Sequence, residues 1–150
     1  MAYANSTTRT FAGEVGKGGL ASAKTTSEQF KGKSPIQAGL FVAIDATGGV
    51  KPLSAVTDVI AGVIVRSLIK DDFQPNDLVD VMHITQGDSV WVAVGKGVSV
   101  VRGDKVYVRA VKNGDKEVGT IDKAEDSGKT IATDFVVINA TEHLAEITRL

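Results

Sequence analysis

Cysteine is absent from the 150 residues, so neither a disulfide nor a thiolate metal site is available to the chain. Aromatic residues make up only 5% of the sequence, so valine, isoleucine and alanine must fill most of any core. No apolar run reaches the roughly 20 residues that a membrane helix needs. The first ten residues lack the basic start and apolar stretch of a secretion signal. We therefore expect a soluble protein, made in the cytoplasm, with no contact with a membrane.

An excess of charge of one sign is also missing, since the formal net charge is −1. This balance gives no electrostatic reason to expect direct nucleic-acid binding. The hydrophobic fraction of 43% and the charged fraction of 23% are typical of a globular protein. At this length the chain supports one domain with its own core.

A short phrase recurs in the middle of the chain, at residues 76–81, 87–94 and 103–108. Each copy begins with glycine or asparagine followed by aspartate, and apolar residues then alternate with variable ones. Glycine and asparagine tolerate positive φ, and an aspartate side chain can cap a turn. The alternation that follows has the period of a strand with one buried face. Three such units predict an antiparallel β domain.

Further apolar segments fit the same fold. The run at 59–69 predicts a central strand that bends or bulges at Gly62, and the proline of 50–53 confines that short strand to a sheet edge. Other strands are predicted at 40–44, 118–121, 135–138 and 144–148. We therefore predict an all-β protein, a single small antiparallel β-sandwich or β-barrel.

The composition changes near residue 35. Residues 1–34 have few large apolar side chains, no strand or helix period, and five Lys/Arg against two acids. Such a segment buries too little apolar surface to offset its ordering entropy. We predict that residues 1–34 form an extended N-terminal arm that becomes ordered against another surface, and that residues 35–150 form the β domain.

Motifs that could carry chemistry are weak. His83 and His143 lie far apart, without the spacing of metal ligands or of a catalytic pair. The glycine-rich stretch 13–19 lacks the spacing and the hydroxyl of a phosphate loop. The Arg-Gly-Asp triplet at 102–104 falls where a turn is expected, and the aspartates of the 71–77 loop lack the pattern of a calcium loop. We predict no catalytic residue, no metal ligand and no cofactor.

Two aromatic residues occupy matching places in the repeated units. Trp91 and Tyr107 each follow the turn and stand at equivalent positions of their strands. We expect Tyr107 in the core, whereas Trp91 fits equally a half-buried core position and an interface anchor, because exposed tryptophan often dominates binding surfaces.

The order of these elements resembles a known family, the structural cement or capsid decoration (head-stabilising) proteins of tailed bacteriophages. The resemblance rests on segments in the expected order: 27–28, 34–40, 61–67, 76–82, 89–92, 102–108 and 143–147, with Phe135 before the last of them. At residues 142–143 this chain has Glu-His where the family usually has glycines. The resemblance covers nearly the whole chain.

The resemblance implies a non-enzymatic virion protein, made in the host bacterial cytoplasm and located on the capsid exterior. It would bind the outer surface of the assembled capsid and cement neighbouring major capsid subunits, as a homo-oligomer with a trimer favoured. The basic arm would meet an acidic capsid surface, with Phe11 and Phe30 as apolar anchors. The candidate interface residues are Arg9, Phe11, Lys17, Lys24, Phe30, Lys31, Lys33 and Trp91.

Other functions are compatible with a small β domain. The chain could be another virion β-module, such as a tail or baseplate component. A small-ligand or enzymatic β-domain would require a deep cavity with converging His83 or aspartate side chains. A carbohydrate-binding domain would require exposed coplanar aromatics, which are scarce in this sequence.

Overall fold

The structure, a computed structural model, describes residues 10–17, 24–67 and 70–150. These described residues contain strands and no α-helix. The strands are β1 (Val15–Lys17), β2 (Lys24–Gln29), β3 (Ile36–Gln37), β4 (Phe41–Ile44), β5 (Val50–Pro52), β6 (Ile60–Ile64), β7 (Asp72–Phe73), β8 (Leu78–His83), β9 (Ser89–Ala93), β10 (Lys105–Arg109), β11 (Ile121–Asp122), β12 (Thr130–Ala140) and β13 (Leu144–Arg149).

The strands form two large antiparallel sheets and a small ribbon. One sheet has six strands in the order β1-β9-β13-β12-β10-β11, and the other has five in the order β2-β8-β6-β4-β5. The ribbon consists of β3 and β7. The described strands do not form a closed barrel, so of the two predicted architectures the sandwich is the one observed.

The main core lies between the two large sheets. It joins Phe41 and Met82 of the five-stranded sheet with Val92, Phe135 and Ile147 of the six-stranded sheet. The rings of Phe41 and Phe135 have their centroids 6.0 Å apart. Burial of these side chains supplies the main driving force that holds the sheets together.

A second apolar cluster covers the other face of the five-stranded sheet. It includes Phe30, Val42, Ile64 and Val81, with Phe73 from the ribbon. Because this sheet is buried on both faces, its strands carry consecutive apolar residues instead of a strict alternation. This explains why the segment around β6 is the most apolar run of the sequence.

The three repeated turns have one geometry. In each, the aspartate backbone N–H donates to the carbonyl oxygen three residues earlier, at 3.1 Å. The preceding residue has positive φ, 71° at Asn76, 88° at Gly87 and 94° at Gly103. The carboxylate also accepts a hydrogen bond from the residue three positions earlier, as in the 2.9 Å bond from the Val101 N–H to Asp104. The predicted turn chemistry is confirmed, and it accounts for the Arg-Gly-Asp triplet.

Most predicted strands are present, with changed lengths. The strand β6 is central, between β4 and β8, and ends at Ile64. Its register with β4 shifts next to Gly62, as expected for a bulge. The strand β5 lies at a sheet edge and ends at Pro52, as its proline predicted. The strand predicted at 118–121 is reduced to Ile121–Asp122.

The N-terminal segment differs most from expectation. We expected residues 1–34 to have no fold of their own, yet β1 pairs with β9 and β2 pairs with β8. Each extends one sheet by an edge strand. A polar segment can be ordered in this way because backbone hydrogen bonds to a neighbouring strand do not require apolar side chains. Residues 1–9 and 18–23 lie outside the described residues, and for them the arm stays a prediction.

Candidate functional site

Residues 10–17 form a strap that joins the two large sheets. The Gly13 N–H donates to the Trp91 carbonyl oxygen of the six-stranded sheet at 2.7 Å. The Gly13 carbonyl oxygen accepts from the Arg66 N–H, just after β6 of the five-stranded sheet, at 3.0 Å. The Trp91 N–H donates in turn to the Glu14 carbonyl oxygen at 2.8 Å. The strap is therefore fixed by backbone hydrogen bonds on both sides.

Gly13 is the point at which the strap is most tightly enclosed. Its φ is 76°, a conformation that favours glycine. A Cβ at this position would lie 2.7 Å from the Ile64 carbonyl oxygen, 2.8 Å from the Arg66 nitrogen and 2.9 Å from the Ala38 Cβ. Two of these neighbours are backbone atoms, so they cannot move aside as a flexible side chain could. Only glycine fits here without a shift.

The strap presents an aromatic residue beside a cation. The Phe11 side chain is 43% exposed, and the Arg66 guanidinium carbon lies 3.9 Å from the centre of its ring. The Phe11 N–H donates to Glu14 Oε2 at 3.0 Å, which fixes the turn that carries the ring. A cleft of about 440 Å³ lies here, with Val15 and Val65 also in its wall. Phe11, a predicted anchor, is therefore available at the surface.

A second cleft lies on the other side of the strap. It has a volume of about 490 Å³ and is lined by Thr10, Glu14, Val15, Gly16, Trp91, Asn139, Ala140, Thr141 and Glu146. Glu146 is 6% exposed, and its carboxylate accepts a 2.6 Å hydrogen bond from Ser89 Oγ. Glu14 and Val15 contribute to both clefts. The strap therefore forms a ridge with a depression on either side.

The structure separates the other predicted interface residues. Phe30 is 0% exposed and belongs to the second apolar cluster, which corrects its prediction as a surface anchor. Its ring is needed to bury that face of the sheet, so it has no surface to offer a partner. Trp91 is 9% exposed and lies at the wall of the second cleft, closer to a core position than to an exposed anchor. Tyr107 is half-buried, facing Ala132 of β12 across the ladder.

The predicted lysines lie at different places. Lys31 Nζ donates to the carbonyl oxygen and to Oγ1 of Thr47, both at 3.1 Å, so it fastens the 45–49 turn. Lys33 is exposed at a groove of about 940 Å³ beside the ribbon. Lys17 is the last residue of β1 and Lys24 the first of β2. Arg9 lies outside the described residues.

The fold contains a buried ionic network that was not predicted from the sequence. Arg109 is 1% exposed and donates to the carboxylates of Asp122 and Asp126, the latter at 2.6 Å. Lys116 Nζ approaches Asp122 at 3.2 Å, and the Asn113 side chain donates to Asp126 at 3.1 Å. The hydrogen bond from Arg109 holds the pKa of Asp126 below its ordinary value. The network ties the polar 123–129 loop to the six-stranded sheet.

The two histidines do not meet. His83 Nε2 lies 3.0 Å from Thr26 Oγ1, and the His143 side chain is 83% exposed with Glu142 at 3.8 Å. In residues 10–17, 24–67 and 70–150, no three His, Cys, Asp or Glu side chains are grouped as metal ligands would be. The same described ranges hold no helix that could cross a membrane.

Comparisons with known proteins agree with the fold and add the family. The chain resembles a solved chain from "The capsid of Myoviridae Phage XM1", with a TM-score of 0.70 and 19% sequence identity, over 99% of this chain and 97% of that one. At this identity the likeness concerns the fold alone. The comparison with curated proteins gives no match.

The sequence also matches a family model over its whole length. The model is described as XM1 gp53 minor capsid protein, and it covers residues 1–150. The sandwich and this match define a minor structural protein associated with a phage capsid. More particularly, the chain belongs to the XM1 gp53 minor capsid protein family. The resemblance found in the sequence to capsid-associated phage proteins is thereby confirmed.

Proposed function

We propose that this protein binds the outer surface of the assembled capsid and cements neighbouring major capsid subunits, acting as a homo-oligomer with a trimer favoured. A cement protein has a mechanical role, and the chain offers a rigid body suited to it. Both large sheets contribute to one core, and the strap links them at a second place. Family membership supports a position on the virion.

The observation that carries the proposal is the exposed ring of Phe11 with the half-buried Arg66 guanidinium packed on it. Aromatic and arginine side chains are the residues that most often dominate protein–protein binding energy. Here the ring is 43% exposed, and exposed Val15 extends the apolar surface along the same strap. Because the strap is anchored at Gly13, the ring costs little entropy to place against a partner.

Basic residues are proposed to add to this contact. Lys33 is exposed in the described structure, Lys17 is the last residue of β1, Lys24 is the first residue of β2, and Arg9 directly precedes the strap in the sequence. We propose that they contact an acidic part of the major capsid protein, which would favour encounter by long-range attraction. Such contacts would weaken as salt is raised.

Binding to purified shells that lack the protein is the direct test. Deleting the whole predicted arm is unsuitable, because it would remove β1, β2 and Phe30 from the fold. Substituting Phe11→Ala removes the exposed ring alone, and we expect affinity for shells to fall about tenfold, the effect of losing a hot-spot side chain worth roughly 1.4 kcal/mol. Occupancy is measured by sedimentation of shells with increasing protein.

The matched control is Val101→Ala, which shortens an apolar side chain that is 63% exposed at a turn between strands. This variant should bind shells like the unmodified protein. Equal binding by all three proteins would contradict the proposed role of Phe11. Labelling that locates the protein on tails alone would instead support a tail or baseplate module.

A further inference from the structure

The free edges of the two sheets are protected to different degrees. Exposed strand edges invite pairing with another chain, so proteins shorten, bend or cover them. At the edges of the six-stranded sheet, β1 has three residues and β11 has two. In the other sheet, β5 ends in a proline and is bridged by Phe30. These three edges therefore show the usual protection.

The strand β2 lacks such protection. All six of its residues, Lys24 to Gln29, pair with β8 in a continuous register without a bulge. It contains no proline, and in the part of the chain that the structure describes no strand pairs with its other edge. Thr25, Thr26 and Ser27 are exposed. It is the longest edge strand of the two large sheets in the described residues.

The sequence of β2 is complementary to itself when reversed. By the alternation of a strand, positions 24, 26 and 28 share one face, and Lys24 and Glu28 stand about 13 Å apart along it, too far to pair. In an antiparallel pair centred on Thr26, residue 24 of each copy stands opposite residue 28 of the other. Thr25 then stands opposite Ser27. Opposite charges and hydroxyl pairs are the cross-strand combinations that stabilise a ladder.

We propose that β2 pairs with β2 of a second copy of this chain, antiparallel and across a twofold axis at Thr26. The pairing would join the five-stranded sheets of two copies into one continuous sheet. Glu28 has no ion-pair partner within the described residues, so it is free to take this role. A strand edge that pairs with itself has only twofold symmetry, so the contact is distinct from the proposed trimer and would link one copy in each of two trimers.

The contact is expected to be weak in solution. Pairing of one six-residue strand buries less surface than a standard stable interface. On a shell, many copies held close together would gain from high effective concentration. The proposal does not depend on shell binding, and its test uses the free protein.

Charge reversal provides the first test. In a dimer of the Lys24→Glu variant, the new acid of each copy would stand opposite Glu28 of the other copy. In a dimer of the Glu28→Lys variant, the new lysine of each copy would stand opposite Lys24 of the other copy. We expect each variant alone to dimerise at least about tenfold more weakly than the unmodified chain in analytical ultracentrifugation at high concentration. In an equimolar mixture, the acid introduced into one variant stands opposite the lysine introduced into the other, so the mixture should form a heterodimer and recover the association.

A mixture that associates no better than the single variants would overturn the proposal. So would reversals that leave self-association unchanged while weakening binding to shells, since β2 would then pair with a capsid segment. Circular dichroism of each variant checks that the sheet is intact.

A disulfide test does not depend on charge. Because the chain has no cysteine, a single introduced cysteine can cross-link only to its counterpart in another copy. Opposed residues of an antiparallel pair have Cα atoms about 4.5–5.5 Å apart, within the range that a disulfide spans. Thr26→Cys should therefore give a covalent dimer on mild oxidation. Ser127→Cys, in an exposed loop, is the matched control. Equal rates of cross-linking in the two variants would contradict a twofold axis at Thr26.

Discussion

Replacing Gly13 by alanine tests whether the strap is an integral part of the fold. The position has φ of 76°, and its missing Cβ would lie within 2.9 Å of three atoms from two other segments. Alanine therefore has to overcome two separate obstacles. One is the left-handed backbone conformation, and the other is the absence of space.

The expected loss of stability follows from these two terms. The left-handed conformation costs alanine about 1 kcal/mol or somewhat more. Relief of the overlaps requires the strap to move away from Ile64 and Arg66, which weakens the hydrogen bonds to Trp91 and from Arg66. Each such bond contributes about 1 kcal/mol. We expect the free energy of unfolding to fall by about 2–4 kcal/mol.

Gly97 provides a matched control for the backbone term. Its φ is also 76°, but a Cβ added there would meet nothing within 4 Å. Gly97→Ala should therefore cost only the conformational part, about 1 kcal/mol. Urea denaturation followed by tryptophan fluorescence measures both variants, since Trp91 is the only tryptophan. Equal losses in the two variants would refute the argument that the strap is enclosed at Gly13.

Three further predictions concern other residues. Phe30→Ala should lower the free energy of unfolding by about 3–5 kcal/mol, since it empties a fully buried site. Phe11→Ala should lower it by under about 1 kcal/mol, because the ring is exposed, and urea denaturation compares the two variants. The pKa of Asp126 is lowered by its hydrogen bond from Arg109, so its stabilising effect is complete above the unfolded pKa and is lost as pH falls through the folded pKa. Asp126→Asn should therefore lower the urea midpoint at pH 7 and leave a much smaller difference in strong acid. Raising salt should weaken shell binding if Lys33 and the other basic residues contact acidic capsid surface, and unchanged binding would count against that contact.

The parts of the fold that the sequence predicted are those set by local chemistry. Each repeated turn needs only a residue that accepts positive φ, followed by an aspartate that can bond to the residue three positions before it. Asn76, Gly87 and Gly103 meet the first requirement, and the hydrogen bond at Asp104 shows the second. Because this information lies within four consecutive residues, the turn can be predicted without any knowledge of tertiary contacts.

The strands that were missed depend on distant partners. β2 has no apolar alternation, and it is ordered because β8 offers a free edge some fifty positions later in the chain. Phe30 looked like an isolated aromatic in a polar segment, yet it completes a cluster with Val42 and Val81. Composition alone could not reveal that a polar segment adds to a sheet, since the backbone supplies the interaction.

The ionic network around Arg109 was missed for the same reason. Its carboxylate partners are 13 and 17 positions away: Asp122 ends the short strand β11, and Asp126 lies in the polar loop that follows. An aspartate in a polar stretch is ordinarily solvated, and nothing in the neighbouring residues distinguishes Asp122 or Asp126. The available signal was Arg109, an arginine at the end of an alternating strand. A charged side chain on a sheet face needs a partner of opposite charge when a loop covers that face.

The strap couples the stability of the sandwich to the surface proposed for capsid binding. Phe11 stands two residues before Gly13, and Arg66, which packs on its ring, donates its backbone N–H to the Gly13 carbonyl oxygen. Displacing Gly13 therefore moves both Phe11 and Arg66, although neither side chain is altered chemically. A loss of about 2–4 kcal/mol leaves most domains folded, so weaker shell binding by Gly13→Ala would come from the displaced pair and not from unfolded protein. Phe11→Ala removes the ring while the anchor stays, and similar defects in the two variants would therefore locate binding at this ridge.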